Sequence, residues 1–223
     1  MSIIFAGDTH GRVSAFESID SDARERGASV VVQVGDFGVH FLDNCPVADW
    51  FRNREGGPTW VTCGGNHDNW PVWRTMPEVR LFGGTVRELA PGCFFAERGT
   101  VLNLGGEKHL FFGGAESTDK HHRREGRDWW SEETPNYSEF TRFMDALEGE
   151  KPSVVITHDA PLSIPIWKYN RDDSPTPRNL ENIFRNSAHL PARWYFGHHH
   201  INDDWEIRGV KFVCCGLHGN WHE

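Results

Sequence analysis

Asp8 and His10, Asp36, Asn66 and His67, His158, and then His198 and His200 each follow closely on a short apolar run. Carboxylates, imidazoles and a carboxamide, with no thiolate among them, suit Mn, Fe, Zn or Co in a working site better than a structural cysteine-zinc site. Seven of these residues (Asp8, His10, Asp36, Asn66, His158, His198 and His200) exceed what one tetrahedral ion accepts. Two divalent metal ions are therefore expected, and one carboxylate could bridge them. Without cations, each buried polar group would need a protein partner, an expensive arrangement.

Residues so far apart in sequence converge only if the apolar runs are strands ending at one crevice, as the carboxyl ends of open α/β sheets do. Ser2 to Ala6 reads as the first strand. A helix follows GDTHGR, with Ser14 and Glu17 as a capping box, Phe16, Ile19 and Ala23 as its apolar stripe and Gly27 at its end. Ser29 to Val34 has the nearly continuous apolar character of a central strand covered on both faces. A helix near Asp49 to Arg54 leads into a strand at Thr59 to Thr62. From Val79 to Gly114, glycine-punctuated runs predict antiparallel hairpins. A polar, aromatic stretch from Ser117 to Asn136 precedes a helix with Phe140, Phe143, Met144 and Leu147 on one face. Val154 to Thr157 is a further strand, and Thr176 and Pro177 suit the cap and first position of a helix carrying Leu180, Ile183 and Phe184. Trp194 to Phe196 and Glu206 to Cys215 complete the sheet. On extended backbone, alternate side chains share a face, so His198 and His200 point together while His199 turns away, and Asp8 and His10 approach one ion across Thr9.

The chain has 223 residues, 38% hydrophobic and 25% charged, the balance of one globular domain over residues 1–223. Its net charge of −9 argues against extended nucleic acid and anionic membranes as partners. No apolar run approaches the ~20 residues of a spanning helix. The start lacks the basic region of a signal peptide, so a cytoplasmic location is expected. Five cysteines without CxxC spacing read as reduced thiols, Cys214 and Cys215 packed in a strand. Among the other histidines, His40, His109, His121, His122, His189 and His222 are expected at the surface. For His218, a place beside the site is the alternative. Trp70, Trp73 and Trp167 either wall the cleft or sit in the core, the commoner place for such rings.

Taken in order, the blocks GDTHG, GDFG, GNHD, THDAP and GHHH resemble the signature of the calcineurin-like metallophosphoesterase family. GGAESTDK, with Trp129-Trp130 and an acidic residue after it, is similar to small bacterial and phage members. The resemblance implies an α/β fold of two mixed β-sheets packed as a sandwich and flanked by helices. It also implies that Asp8, His10 and His200 hold one metal and Asn66, His158 and His198 the other, with Asp36 between them. Mn is the first expectation. The implied chemistry is hydrolysis of a phosphomonoester or phosphodiester by in-line attack of a hydroxide shared between ions ~3.5–4 Å apart. His67 would be the catalytic residue, contacting the phosphate or protonating the leaving oxygen.

The chain departs from the protein phosphatase branch, which reads GDxxDRG and then GNHE. Here Asp36 is followed by Phe37-Gly38-Val39-His40, so no carboxylate at position 39 orients His67 and no arginine follows. A small phosphorylated or nucleotide-like substrate is expected in place of a phosphoprotein, and Asp68 or Asp159 is the candidate to orient His67. Residues 117–136 read either as a cap, with Arg123 and Arg127 on phosphate and tryptophan on a base, or as a solvated loop anchored by tryptophan. The rival function is a catalytically weak metal-binding module of the same fold that recognises proteins through tryptophan. His67 beside a full ligand set favours the enzyme.

Overall fold

Burial with a period of two sets the layers. In β1 (Ile3–Ala6), Ile3 and Phe5 enter one core while Ile4 and Ala6 enter another, so both faces of the strand are covered. The computed structural model describes residues 1–166, 174–217 and 220–222, the last three through backbone alone. Trp167 and His218 lie outside the described residues.

β1 pairs in parallel with β2 (Val30–Gln33), which pairs in parallel with β3 (Thr59–Thr62) and that with β6 (Cys93–Phe95). An antiparallel hairpin, β4 (Glu78–Leu81) and β5 (Gly84–Ala90), extends one edge, and β13 (Asn220–His222) closes the other antiparallel to β1. In the second sheet β8 (Glu107–Phe112), β9 (Val154–Thr157), β10 (Arg193–Phe196) and β12 (Val210–Cys214) run parallel. Its antiparallel edges are β7 (Thr100–Leu104) and β11 (Asp203–Ile207). The two mixed sheets form the expected sandwich.

Phe5, Val32, Val61, Phe111, Ile156 and Tyr195 fill the space between the sheets, where the rings of Phe5 and Tyr195 stack with centroids 3.6 Å apart. Helices α1 (Val13–Glu25), α2 (Pro46–Asn53) and α3 (Trp70–Thr75) cover the first sheet through Phe16, Phe51 and Trp73. On the other side, α4 (Tyr137–Glu150) and α5 (Pro175–Asn186) cover the second through Phe143, Leu147 and Phe184. Each such side chain contributes about 1.5–3 kcal/mol by leaving water.

Several local expectations are corrected. Arg12 is the N-cap of α1, so Ser14 already lies inside the first turn and its capping box with Glu17 does not form. The box appears instead at α4, between Asn136 and Glu139. Met144 is 43% exposed, on the flank of the stripe that Phe140, Phe143 and Leu147 define. Ser174, not Thr176, precedes α5, and the Thr176 hydroxyl donates to Glu116. Arg208 and Gly209, both at positive φ, split the last predicted strand into the β11–β12 hairpin. His109 is buried beneath Phe5, not at the surface. Trp70 and Trp73 are core residues. All five cysteines are unbridged and buried, and burial pushes the Cys63, Cys93, Cys214 and Cys215 thiols up. Among the described residues no helix is long and apolar enough to cross a membrane.

Candidate metal centre

The turns after β1, β2 and β3 in one sheet and after β9 and β10 in the other meet at one edge of the sandwich, where the His198 amide donates to Asp8 and His158 Nδ1 reaches the Val34 carbonyl. These turns are not extended. His10, Asp36, His198 and His200 have φ of 48°, 53°, 65° and 53°, a left-handed conformation that costs non-glycine residues about 1–3 kcal/mol each. Side-chain alternation along an extended segment is therefore not what aims His10, His198 and His200. Tight turns do that, and strain is concentrated where the candidate ligands meet.

Two buried groups hold the turns. The Gln33 amide accepts from the Gly35 N–H at 3.0 Å and the Thr62 hydroxyl at 2.5 Å, and it donates to the Gly7 carbonyl at 3.2 Å, joining the ends of β1, β2 and β3. The Asp68 carboxylate accepts from the N–H groups of Phe37, Gly38 and Gly65 at 3.1, 2.7 and 2.7 Å. A Cβ on Gly65 would collide with Asp36, so only glycine lets these turns approach so closely. Sequence reasoning missed both roles. An amide ending an otherwise apolar strand was the available signal for Gln33, and the aspartate of GNHD was the signal for Asp68.

All seven sequence-predicted ligand residues come together, in two groups. In the first, His200 Nε2 is 3.1 Å from Asp8 Oδ2 and 3.1 Å from His10 Nε2, and His10 Nε2 is 3.7 Å from Asp36 Oδ2. One donor atom from each of these four lies within 4.8 Å of the others. In the second group, Asn66 Oδ1 is 3.0 Å from His158 Nε2 and 3.1 Å from His198 Nδ1, and His158 Nε2 is 3.3 Å from Asp36 Oδ1. Asp36 thus offers one oxygen to each group, and its Oδ1 also accepts from the His67 N–H at 2.8 Å.

The donor chemistry fits divalent cations. The Val34 carbonyl only accepts, so His158 Nδ1 carries a proton, and a neutral ring then turns its Nε2 lone pair toward two oxygens that also accept. Three lone pairs facing one point call for a proton or a metal ion. With the proton alone, burial opposes the imidazolium, yet Asp36 overcomes it and pushes His158 up to about 10. Burial lowers His198 to about 4, leaving its nitrogen free to ligate, and lowers His10. A hydrogen bond to Asp8 raises His200.

His67 stands beside these groups, its ring edge-on to His10 with centroids 5.0 Å apart. Neither expected carboxylate orients it: Asp68 ties backbone, and Asp159 accepts from Ala160 N and pairs with the inward-turned His199 at 3.0 Å. Arg123 approaches instead, with Nη1 3.1 Å from Nδ1 and Nη2 3.1 Å from Nε2. Burial and Arg123 push the imidazole down, against the pull of Asp36. His40, expected at the surface, is exposed there and places Nε2 2.9 Å from the His67 carbonyl.

The 117–136 segment is docked. Arg98, 2% exposed, donates to the carbonyls of Glu132 and Glu133, and Ser117 accepts from Asn66. Trp130 is 4% exposed and packs on His40 and Phe41, which leaves no open face for a base. Arg127 is exposed, and among the described residues no hydrogen bond or ion pair joins its side chain to the site.

A family model for calcineurin-like phosphoesterases matches residues 1–202. No curated protein matches the chain significantly. Among solved structures, the chain is similar to TT1561 of Thermus thermophilus, with a TM-score of 0.60 and 14% identity over 98% of this chain and 90% of that one. It is also similar to GAP50 of Plasmodium, titled the anchor in the inner membrane complex, with a TM-score of 0.56 and 12% identity over 97% of this chain and 71% of that one. Identities this low speak to the fold alone. The family match, spanning every strand-end turn that carries a candidate ligand, makes this chain a member of the calcineurin-like phosphoesterase family.

Proposed function

We propose that the chain is a two-metal phosphoesterase cleaving phosphomonoesters or phosphodiesters, folded as one domain with residues 117–136 as its cap. The observation that carries this reading is the division of the Asp36 carboxylate between His10 and His158. Asp8, His10 and His200 would hold one ion and Asn66, His158 and His198 the other, with Asp36 offering an oxygen to each. Two divalent ions bound there, Mn first and Fe, Zn or Co as alternatives, would supply an acidified water and positive charge opposite the phosphoryl oxygens. Val34 keeps the proton of His158 on Nδ1, which leaves Nε2 able to hold an ion. Asn66 contributes oxygen without charge, which preserves positive potential for a phosphate. Arg123 binds a phosphoryl oxygen, braced by Asp119 at 2.9 Å. His67 contacts the same group and protonates the leaving oxygen.

The net charge of −9 disfavours extended nucleic acid and leaves a small or nucleotide-like substrate, and five unbridged thiols accord with a cytoplasmic location. Purified protein loaded with Mn²⁺ should hydrolyse nitrophenyl phosphate or bis-nitrophenyl phosphate. His67→Ala should lower turnover by about 10²–10⁴-fold with metal content unchanged. No cleavage with any of the four metals would favour a second reading, a metal-binding interaction module. Phe41, 50% exposed beside the site, is the apolar contact that such a module would offer a partner.

A further inference from the structure

Asn66 has two chemically opposite sides. Its Oδ1 faces His158 and His198, while its Nδ2 donates to Ser117 Oγ at 3.2 Å. If the amide were reversed, an N–H group would point at the metal centre and no ligand atom would remain there. The two orientations have the same shape, so packing alone does not choose between them.

The choice is made further out, in the 117–136 segment. Ser117 Oγ donates to Glu133 Oε2 at 2.8 Å, and the Ser117 N–H donates to Glu133 Oε1 at 2.6 Å. Burial raises the Glu133 carboxyl while the two Ser117 donors oppose that rise, and in its ionised form it only accepts, so it takes the one hydroxyl proton of Ser117 and leaves that oxygen able only to accept in turn. Asn66 must then present its NH₂ group to Ser117 and its oxygen to the ions. All three residues are buried, with Glu133 at 0%, Ser117 at 2% and Asn66 at 4% exposure, so water is not at hand to substitute. We propose that Glu133 and Ser117 are positioning residues that set the direction of this hydrogen-bond chain and thereby make Asn66 a metal ligand. The segment is then part of the metal centre as well as a cover for it. This inference rests on the two-metal reading.

Titration calorimetry of Mn²⁺ into the chelator-stripped full chain tests it, beside melting curves recorded without metal. Wild type should take up two ions, and fewer would overturn the two-metal reading itself, and this inference with it. Glu133→Gln can place an NH₂ group on Ser117 and reverse the chain. It should weaken one ion about 10–100-fold and spare the other, as loss of outer support to a ligand does. Glu132→Gln, one residue away, is the control and should bind as wild type does. Should Glu133→Gln fail to fold, Ser117→Ala makes the same comparison, with the same expected loss at one ion.

The decisive variant is Asn66→Asp, whose two oxygens make orientation irrelevant. In that background, adding Glu133→Gln should no longer weaken that ion, because either oxygen at position 66 can ligate and the Ser117 hydroxyl proton is free to turn toward the other. Wild-type binding of both ions by Glu133→Gln or Ser117→Ala would overturn the proposal. So would an undiminished Glu133→Gln loss in the Asn66→Asp background, since Glu133 would then act through packing alone.

Discussion

The guanidinium of Arg123 lies 3.1 Å from each ring nitrogen of His67 and is itself paired with Asp119. Burial first, and then this cation, oppose protonation of the imidazole, so its pKa falls below the ordinary 6.5. An acid must carry its proton, so kcat/KM should decline as pH rises through that depressed value. Arg123→Ala should lower kcat/KM by about 10–100-fold, the worth of a charged hydrogen bond. It should also move the decline to higher pH, because an opposing charge is gone. A decline that stays in place would separate Arg123 from the protonation of His67.

Asp68 accepts three backbone N–H groups that hold the Asp36 turn against the Asn66 turn. Asn in its place keeps one acceptor oxygen and turns an NH₂ group toward a donor. The expected cost is about 1–3 kcal/mol for each N–H left unpaired in the interior. Urea unfolding should register that loss, and Mn²⁺ titration should show both ions weakened, because the displaced turns feed both groups.

Acid stability follows from Asp159. Burial alone would raise its carboxyl, but the hydrogen bond from His199, the nearby His198 and the Ala160 N–H hold it down to about 2, against 3.8 unfolded. A folded value below the unfolded one gives stability that is complete above about pH 4 and is lost as pH falls toward about 2. The size is of order 2 kcal/mol. Urea midpoints of metal-free protein across that window should fall less steeply for His199→Gln than for wild type.

Arg98 and Glu139 form an ion pair of 2.7 Å with side chains 1% and 6% exposed. Arg98 also lies over the Trp70 ring at 3.7 Å, which fixes it in the core. Glu139→Gln leaves that guanidinium without a counter-charge, and about 3–5 kcal/mol of stability should be lost. A thermal-unfolding difference worth under about 1 kcal/mol would mean that the backbone carbonyls around Arg98 suffice.

Which residues gather was legible in the sequence, and how they are aimed was not. Apolar runs ending in Asp8, Asp36, Asn66, His158 and His198 announce parallel strands whose carboxyl ends share an edge, because strand period and ligand chemistry are both local properties. The left-handed turns at His10, Asp36, His198 and His200 are imposed by neighbours distant in sequence. Gln33 and Asp68 act across 26 and 31 residues, and Asn66 reaches Ser117 across 51, separations at which no local pattern carries information. Helix α3 went unread because six residues, opened by the Asn69 cap, are too few to show a helical period. Arg123 was picked out by charge, and its seat on His67 depends on how Arg98 and Glu133 dock the segment.

The bridge at Asp36 is tested most directly by electron paramagnetic resonance of the Mn²⁺-loaded chain. Two ions sharing that carboxylate should give the broad spectrum of an exchange-coupled pair, and Asp36→Asn should replace it with the signal of isolated Mn²⁺. Wild-type protein showing isolated Mn²⁺ at every loading would contradict the account.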